Sequence, residues 1–145
     1  MEKPELILIR GLPGSGKSTI AETFKRHYHF ESDQYWGEDY NFDIDKLQNA
    51  HRWCQARVNL YLNKLNDLFC KFPNSIHTKI GIVVSNTFTT KNELLPYFEI
   101  ASEFGIIPNV LLCQSNFGSI HNVPQETIEK MKNRFEYDIQ ELYNE

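Results

Sequence analysis

Cysteine is scarce in this chain. Cys54, Cys70 and Cys113 are the only three in 145 residues. Odd in number and widely spaced, they make no disulfide framework, no metal-ligand pattern and no Cys-x-x-Cys pair. The expectation is reduced core thiols in a cytoplasmic protein. Long apolar runs are missing as well. The N-terminal segment MEKPELILIR holds a run of four aliphatic residues behind two acidic ones. A membrane span needs roughly 20 apolar residues, and a secretory leader needs a basic start and a longer apolar stretch. A basic excess is also absent. Fifteen Lys and Arg face nineteen Asp and Glu, for a net charge of −4, which argues against wrapping long duplex DNA by bulk electrostatics. The charge is uneven, however. Residues 51–113 hold six Lys/Arg against four Asp/Glu, and residues 114–145 hold three against six. A polyanion would therefore meet the middle segment. No repeat, low-complexity tract or linker divides the chain, so one domain over residues 1–145 is expected.

What is present is GLPGSGKST at residues 11–19, a full match to G-x-x-x-x-G-K-[ST]. Chance alone yields this pattern in a chain of this length on the order of one time in 200. Its flanks also fit. Leu6-Ile7-Leu8-Ile9 reads as a strand buried on both faces, and Ile20, Ala21 and Phe24 recur at helical spacing. Gly11, Gly14 and Gly16 let the backbone curl so that several N–H groups point inward. Pro13 stiffens the loop, and Ser15 and Thr19 complete the set expected around a phosphate. The helix starting near Gly16 adds its positive end. Lys17 is a mobile point charge for β- and γ-phosphates. The Ser18 hydroxyl has the reach to ligate Mg²⁺. The loop therefore predicts binding of a nucleoside triphosphate, ATP or GTP, with Mg²⁺.

Strands and helices alternate along the rest of the chain. A short strand around residues 29–32 is followed by a polar and aromatic loop over residues 34–41. Asp43 stands where it can cap a long helix, with Ile44, Leu47, His51, Cys54, Val58, Leu62, Leu65 and then Leu68 or Phe69 at three- and four-residue steps. Residues 80–84 read as a third strand. Thr90-Lys91-Asn92-Glu93 matches a capping box, while Pro96 suggests a helix start nearer that residue. Residues 106–113 read as a fourth strand, residues 114–123 as a loop, and Pro124 opens a last helix with Ile128, Met131, Phe135 and Ile139 on its inner face. The fold class is α/β: a P-loop NTPase fold with a four- or five-stranded, mainly parallel sheet and helices on both faces.

Ligands of such sheets sit beyond the carboxyl ends of the strands. That directs attention to Asp33, just past the second strand. A carboxylate there can orient an acceptor hydroxyl and take its proton. A turn Asp or a ligand to Mg²⁺-bound water are the alternatives on spacing alone. Tyr35 and Trp36 stand beside it and can stack on a base, an interaction worth roughly 1–3 kcal/mol, or can simply pack the rim. Ser85-Asn86-Thr87 follows the third strand, where Asn86 can meet phosphate or substrate, or cap the loop.

Four stretches together resemble the polynucleotide kinase branch of the P-loop kinases, which includes phage 5′-hydroxyl polynucleotide kinases and the kinase-like domain of NEDD4-binding proteins. They are RGLPGSGKST, ESDQYW, VVSNTFTTKNELLPYFEIASEFG and HNVPQETIEKMKNRFE, and the likeness covers roughly residues 5 to 136. The resemblance implies transfer of the γ-phosphate of ATP, with Mg²⁺, to a hydroxyl, often the 5′-OH of a DNA or RNA end. It places the catalytic carboxylate on Asp33, beside Lys17, and a lid over residues 114–123 in which Asn116 and His121 can donate hydrogen bonds. Three departures stand out. Trp36 occupies the position where phage enzymes usually carry Arg, Asn86 stands where they usually carry Asp, and residues 114–120 contain no Arg or Lys. A cation for the transition state would have to come from Arg10, Arg52, Arg57, Lys130 or Arg134. A single-stranded nucleic-acid end is the expected acceptor. A small metabolite or nucleoside is the first alternative, and an ATP-binding module with little transfer activity is the second.

Overall fold

Every second residue of the first strand faces the same way, and both directions are apolar. Leu6 and Leu8 join the larger core cluster, and Ile7 and Ile9 join a smaller one on the opposite side. Such a strand needs cover on both faces, and it sits in the middle of a sheet. The computed structural model describes residues 2–38, 41–118 and 123–144. Its elements are β1 (Glu5–Arg10), α1 (Lys17–Ala21), β2 (His27–Phe30), a 3-10 turn over Ser32–Trp36, a second over Ile44–Lys46, α2 (Leu47–Lys71), β3 (Gly81–Ser85), α3 (Lys91–Glu103), β4 (Asn109–Leu112), α4 (Gln125–Arg134) and a 3-10 turn over Gln140–Tyr143. The four strands form one parallel sheet in the order β2-β3-β1-β4. Leu6 pairs with Ile82 and Leu8 with Val84. Residues of α2 and α3 cover one face, while Ala21 of α1 and Phe24 cover the other. All four strands end on the same side, so the segments that begin at Gly11, Glu31, Asn86 and Cys113 lie along one edge.

Several boundaries differ from the sequence reading. The first helix is short: α1 has five residues, Ile20 is 42% exposed, and Phe24 packs from beyond its end. A helix of that length has little macrodipole, so the loop's own N–H groups carry the expected anion attraction. Asp43 caps the 3-10 turn ahead of α2, accepting from the Asp45 amide at 3.0 Å. Phe69, rather than Leu68, faces the core. The capping box prevails over the proline in α3. Thr90 and Glu93 bond each other's amides and the helix begins at Lys91, with Pro96 inside it. Pro96 forfeits one backbone hydrogen bond near the first turns, which the two cap bonds offset. β4 begins only at Asn109, because Pro108 has no N–H to donate to the ladder. α4 stops at Arg134, so Phe135 and Ile139 pack from the chain that follows it. No disulfide joins the three cysteines, and Cys54 is buried as expected whereas Cys70 is exposed.

Arg10 ends β1 on the same face as Leu6 and Leu8, and it is 2% exposed. Its Nε and Nη2 donate to the Phe88 carbonyl at 3.0 and 2.7 Å, and the guanidinium lies 4.3 Å from the Phe135 ring centroid. Phe88 holds a left-handed backbone, φ 46°, a conformation costly for a bulky residue unless neighbours hold it. Burial pushes the Arg10 pKa down, and the charges of Glu93 and Glu136 oppose that shift. One side chain thus fastens the start of the phosphate loop to the turn after β3 and to the C-terminal segment. Replacing Arg10 with Ala is expected to lower stability by roughly 3 kcal/mol, the scale of charge-assisted bonds lost to a buried carbonyl. Urea unfolding measures this loss. In native-state hydrogen exchange, the Glu136 amide, bonded to the Thr89 carbonyl at 2.7 Å, should lose protection ahead of β1 and β3.

Candidate active site

The phosphate loop is shaped by its glycines and closed by its own lysine. Gly14 and Gly16 have φ of 81° and 92°, a region that L side chains rarely enter. Gly11 is buried for a different reason. A Cβ there would stand 2.5 Å from both the Cys113 carbonyl and the Ser15 hydroxyl. Lys17 Nζ donates to the Leu12 carbonyl at 3.0 Å, across the loop's mouth. Burial pushes its ammonium below the ordinary lysine value, while Cys113, Glu31 and Asp33 oppose the shift. The Ser15 hydroxyl is buried and has no hydrogen-bond partner among the described residues. An unpaired buried hydroxyl costs about 1–3 kcal/mol, and a phosphate oxygen in the loop would repair that defect. Pro13 is half-buried in the loop, and Thr19 is exposed on α1. The residues present therefore fit a polyphosphate.

Glu31 is the residue that the sequence reading missed. It directly follows β2, and its Oε2 accepts from the Ser18 hydroxyl at 2.8 Å and from the Ser85 hydroxyl at 2.8 Å. His29 Nε2 lies 3.6 Å from the same oxygen and 2.7 Å from Ser85 Oγ. Burial would raise the carboxyl pKa, but bonds from His29, Ser85 and Ser18 outweigh it and hold Glu31 below its ordinary value. Its signal was present in E-S-D: a carboxylate two residues before Asp33, at a strand's carboxyl end. His29, on β2, belongs to the same cluster. Glu31 and the Ser18 hydroxyl are hard oxygen donors that fit Mg²⁺, which takes one or two protein ligands plus phosphate and water. Accordingly, no group of three or more His, Cys, Asp or Glu side chains among the described residues forms a cage for a metal.

Asp33 is exposed on the 3-10 turn that follows. That turn is held from below. Asn86 Oδ1 accepts from the Ser32 amide at 2.8 Å, and Asn86 Nδ2 lies 3.9 Å from Cys54 Sγ. His51 Nδ1 is 3.1 Å from the Ser32 hydroxyl, and burial pushes the His51 pKa down. Asn86 is 9% exposed, and its side-chain oxygen faces the turn. Tyr35 and Trp36 flank an open cavity of about 800 Å³ that Asn41, Phe42, Asp43, Ile44 and Lys46 also line.

Across the loop, the segment after β4 lies over the glycines. The Phe117 amide donates to the Gly14 carbonyl at 2.7 Å, and its ring would stand 3.2 Å from a Cβ on Gly16. Asn116 is exposed, and its Oδ1 accepts from the Gly118 amide at 3.4 Å. His121 lies outside the described residues. Most cations considered for the transition state are engaged elsewhere. Arg10 holds Phe88, Arg134 donates to the Thr89 hydroxyl at 3.0 Å, and Lys130 is 3.6 Å from Glu126. Arg57 lies over aromatic rings of α2 and β2. Arg52 is exposed on α2.

No protein-family model matches the chain. NEDD4-binding protein 2 of Homo sapiens is 32% identical over 105 residues, a stretch that is 68% of this chain and 5% of that protein. Among solved structures, the APS kinase CysC of Mycobacterium tuberculosis, in complex with AMPPNP and APS, is similar with a TM-score of 0.52 at 18% identity, covering 90% of this chain and 69% of that one. A gluconokinase from Sinorhizobium meliloti gives a TM-score of 0.52 at 18% identity, covering 94% and 77%. The chain has the α/β fold of these P-loop kinases. No helix among the described residues is long and apolar enough to cross a membrane.

The depressed Glu31 pKa fixes a sign. Its contribution to stability is present above the unfolded carboxylate pKa, near 4.3, and is lost as pH falls through the lower folded value. In thermal melts, Glu31→Gln is therefore expected to lie below the wild type at neutral pH and to converge with it as the pH drops below about 4. A gap that stays constant across that window would mean that the carboxylate's charge is not what joins β2 to the loop.

Proposed function

We propose that the protein is an ATP- and Mg²⁺-dependent phosphotransferase whose acceptor is a hydroxyl, the 5′-hydroxyl of a DNA or RNA end. The observation that carries the reading is the joining of Ser18 of the phosphate loop to Glu31, two residues before an exposed Asp33. Phosphate grip, magnesium ligand and proton acceptor thus stand in one row along the sheet's edge. Bound ATP supplies the γ-phosphoryl group, and Mg²⁺ neutralises charge on its oxygens. Lys17 exchanges the Leu12 carbonyl for phosphate oxygens. Ser18 and Glu31 would hold Mg²⁺ through their oxygens. Asp33 orients the acceptor hydroxyl and receives its proton as the new P–O bond forms and the bond from the γ-phosphorus to the β–γ bridging oxygen breaks, with ADP as the leaving group. Asn86, Ser32 and His51 keep the turn that carries Asp33 in place.

The four sequence stretches quoted above support the polynucleotide acceptor, and the fold likeness to an APS kinase and a gluconokinase supports phosphotransfer more broadly. A small metabolite or nucleoside as acceptor is the second reading, favoured by Trp36 in place of a phosphate-binding cation. The absence of Arg and Lys from residues 114–120 favours the third, a nucleotide-binding module with little turnover.

Transfer of labelled γ-phosphate to a 5′-OH oligonucleotide, run beside mononucleotides and an acceptor-free control, separates the three. Labelled oligonucleotide is expected, with Asp33→Asn reduced about 10²- to 10⁴-fold, the usual range for a positioned base, and Lys17→Ala reduced at least as far. Label on mononucleotides alone would favour the second reading. Nucleotide binding with no transfer to any acceptor would favour the third.

A further inference from the structure

The helix that covers the outer strand carries a stripe unlike the rest of the surface. On α2, Trp53, Arg57, Tyr61 and Lys64 recur at steps of four, four and three, so they lie along one side of the helix. The side they share faces the β2 edge. Tyr61 packs against Tyr28 and Phe30 of β2, with ring centroids 4.8 and 5.1 Å apart. Cations alternate with the rings. The Arg57 guanidinium lies 5.7 Å from the Trp53 centroid and 5.5 Å from that of Tyr61, Lys64 Nζ lies 4.9 Å from the Tyr61 centroid, and Lys79 Nζ lies 5.5 Å from that of Tyr28. None of the three cations pairs with a carboxylate among the described residues, and the Arg57 Nε is buried with no hydrogen-bond partner. Across its 25 residues α2 carries Arg52, Arg57, Lys64 and Lys71 against Asp67 as its one acid, in a chain that is acidic overall. The stripe also reaches the candidate active site, because Trp53 meets Tyr35, on the turn that carries Asp33, at 6.1 Å.

We propose that this stripe is a track for single-stranded nucleic acid, leading away from Asp33 along α2 and the β2 edge. Rings that offer faces to any base, interleaved with cations for the backbone, are how proteins hold single strands without reading sequence. The rings are the feature an acidic peptide would not require: Trp53, Tyr61 and Tyr28 keep part of their surface exposed, and the Arg57 guanidinium is held among them. From Trp53 to Lys64 the helix rises about 16 Å, room for several nucleotides. The direction of the strand, reacting end at Asp33, rests on the function proposed above, whereas the track itself does not.

The test is equilibrium binding of the intact protein, by fluorescence anisotropy, to labelled 5′-OH oligothymidylates of two to twelve nucleotides, with inorganic polyphosphate as the base-free competitor. Affinity should rise with length and then level off, and polyphosphate should compete poorly. Lys64→Gln and Lys79→Gln, both at surface positions, should each lower the slope of log Kd against log salt by about 0.7, one phosphate contact on a single strand. Tyr61→Ala should weaken the longer oligomers by roughly 5- to 100-fold, and Tyr61→Phe should restore them. Length-independent binding, equal competition by polyphosphate, or unchanged salt slopes in both lysine variants would overturn the track. Phosphoryl transfer to the dinucleotide is measured in parallel. Transfer with length-independent binding sinks the track alone. Length-dependent binding that responds to Lys64→Gln, with no transfer to any acceptor, keeps the track and sinks the kinase reading.

Discussion

One carboxylate oxygen ties the candidate site together. Oε2 of Glu31 gathers the Ser18 and Ser85 hydroxyls, with His29 close by. Three backbone segments meet there: the phosphate loop, the end of β2 and the end of β3. A buried carboxylate without partners would be expensive, so these donors are required, and each is delivered by a strand or by the first residues of α1. The arrangement sets where the loop sits relative to the turn that carries Asp33. It also supplies negative charge at the sheet's carboxyl edge, although position 86 is Asn. Asn86 is then available to work inward, where its amide holds Ser32 and meets Cys54.

Positive charge is distributed with equal economy. Arg10 and Arg134 serve the turn after β3, and Lys17 bonds a carbonyl of its own phosphate loop. Trp36 lines an aromatic cavity with Tyr35 and Phe42. Lys46 lines the same cavity, and the other cations that accompany rings lie farther along α2 and at Lys79.

Features governed by short sequence distances were legible. The phosphate loop, the parallel α/β architecture, the core stripe of α2 and the exposed carboxylate at Asp33 could each be read from spacing, because strand–loop–helix geometry is local. The role of Glu31 was not, since the Ser85 hydroxyl that it binds lies 54 residues away, and no periodicity reports such a meeting. Asn86 read equally as a ligand contact or a loop cap, because a side chain's direction after a strand depends on which turn packs above it, and its Oδ1 accepts from the Ser32 amide. Arg10 read as a spare cation, yet a guanidinium can be buried when a carbonyl and a ring await it, and both lie far along the chain. The end of α3's ambiguity shows the reverse: two cap bonds outweigh one proline, a local competition whose outcome residue types alone leave open.

The strand order has a bearing on how the chain is made. β1 is synthesised first yet lies inside the sheet, and both its partners, β3 and β4, come from beyond residue 80. Until the ribosome has released β3, an aliphatic strand with open edges has nothing native to pair with, and such edges invite association with other chains. The phosphate loop therefore gains its sheet only after β3 has followed it out of the ribosome. A nascent chain arrested before β3 would carry the nucleotide motif intact in sequence but have no sheet to mount it on.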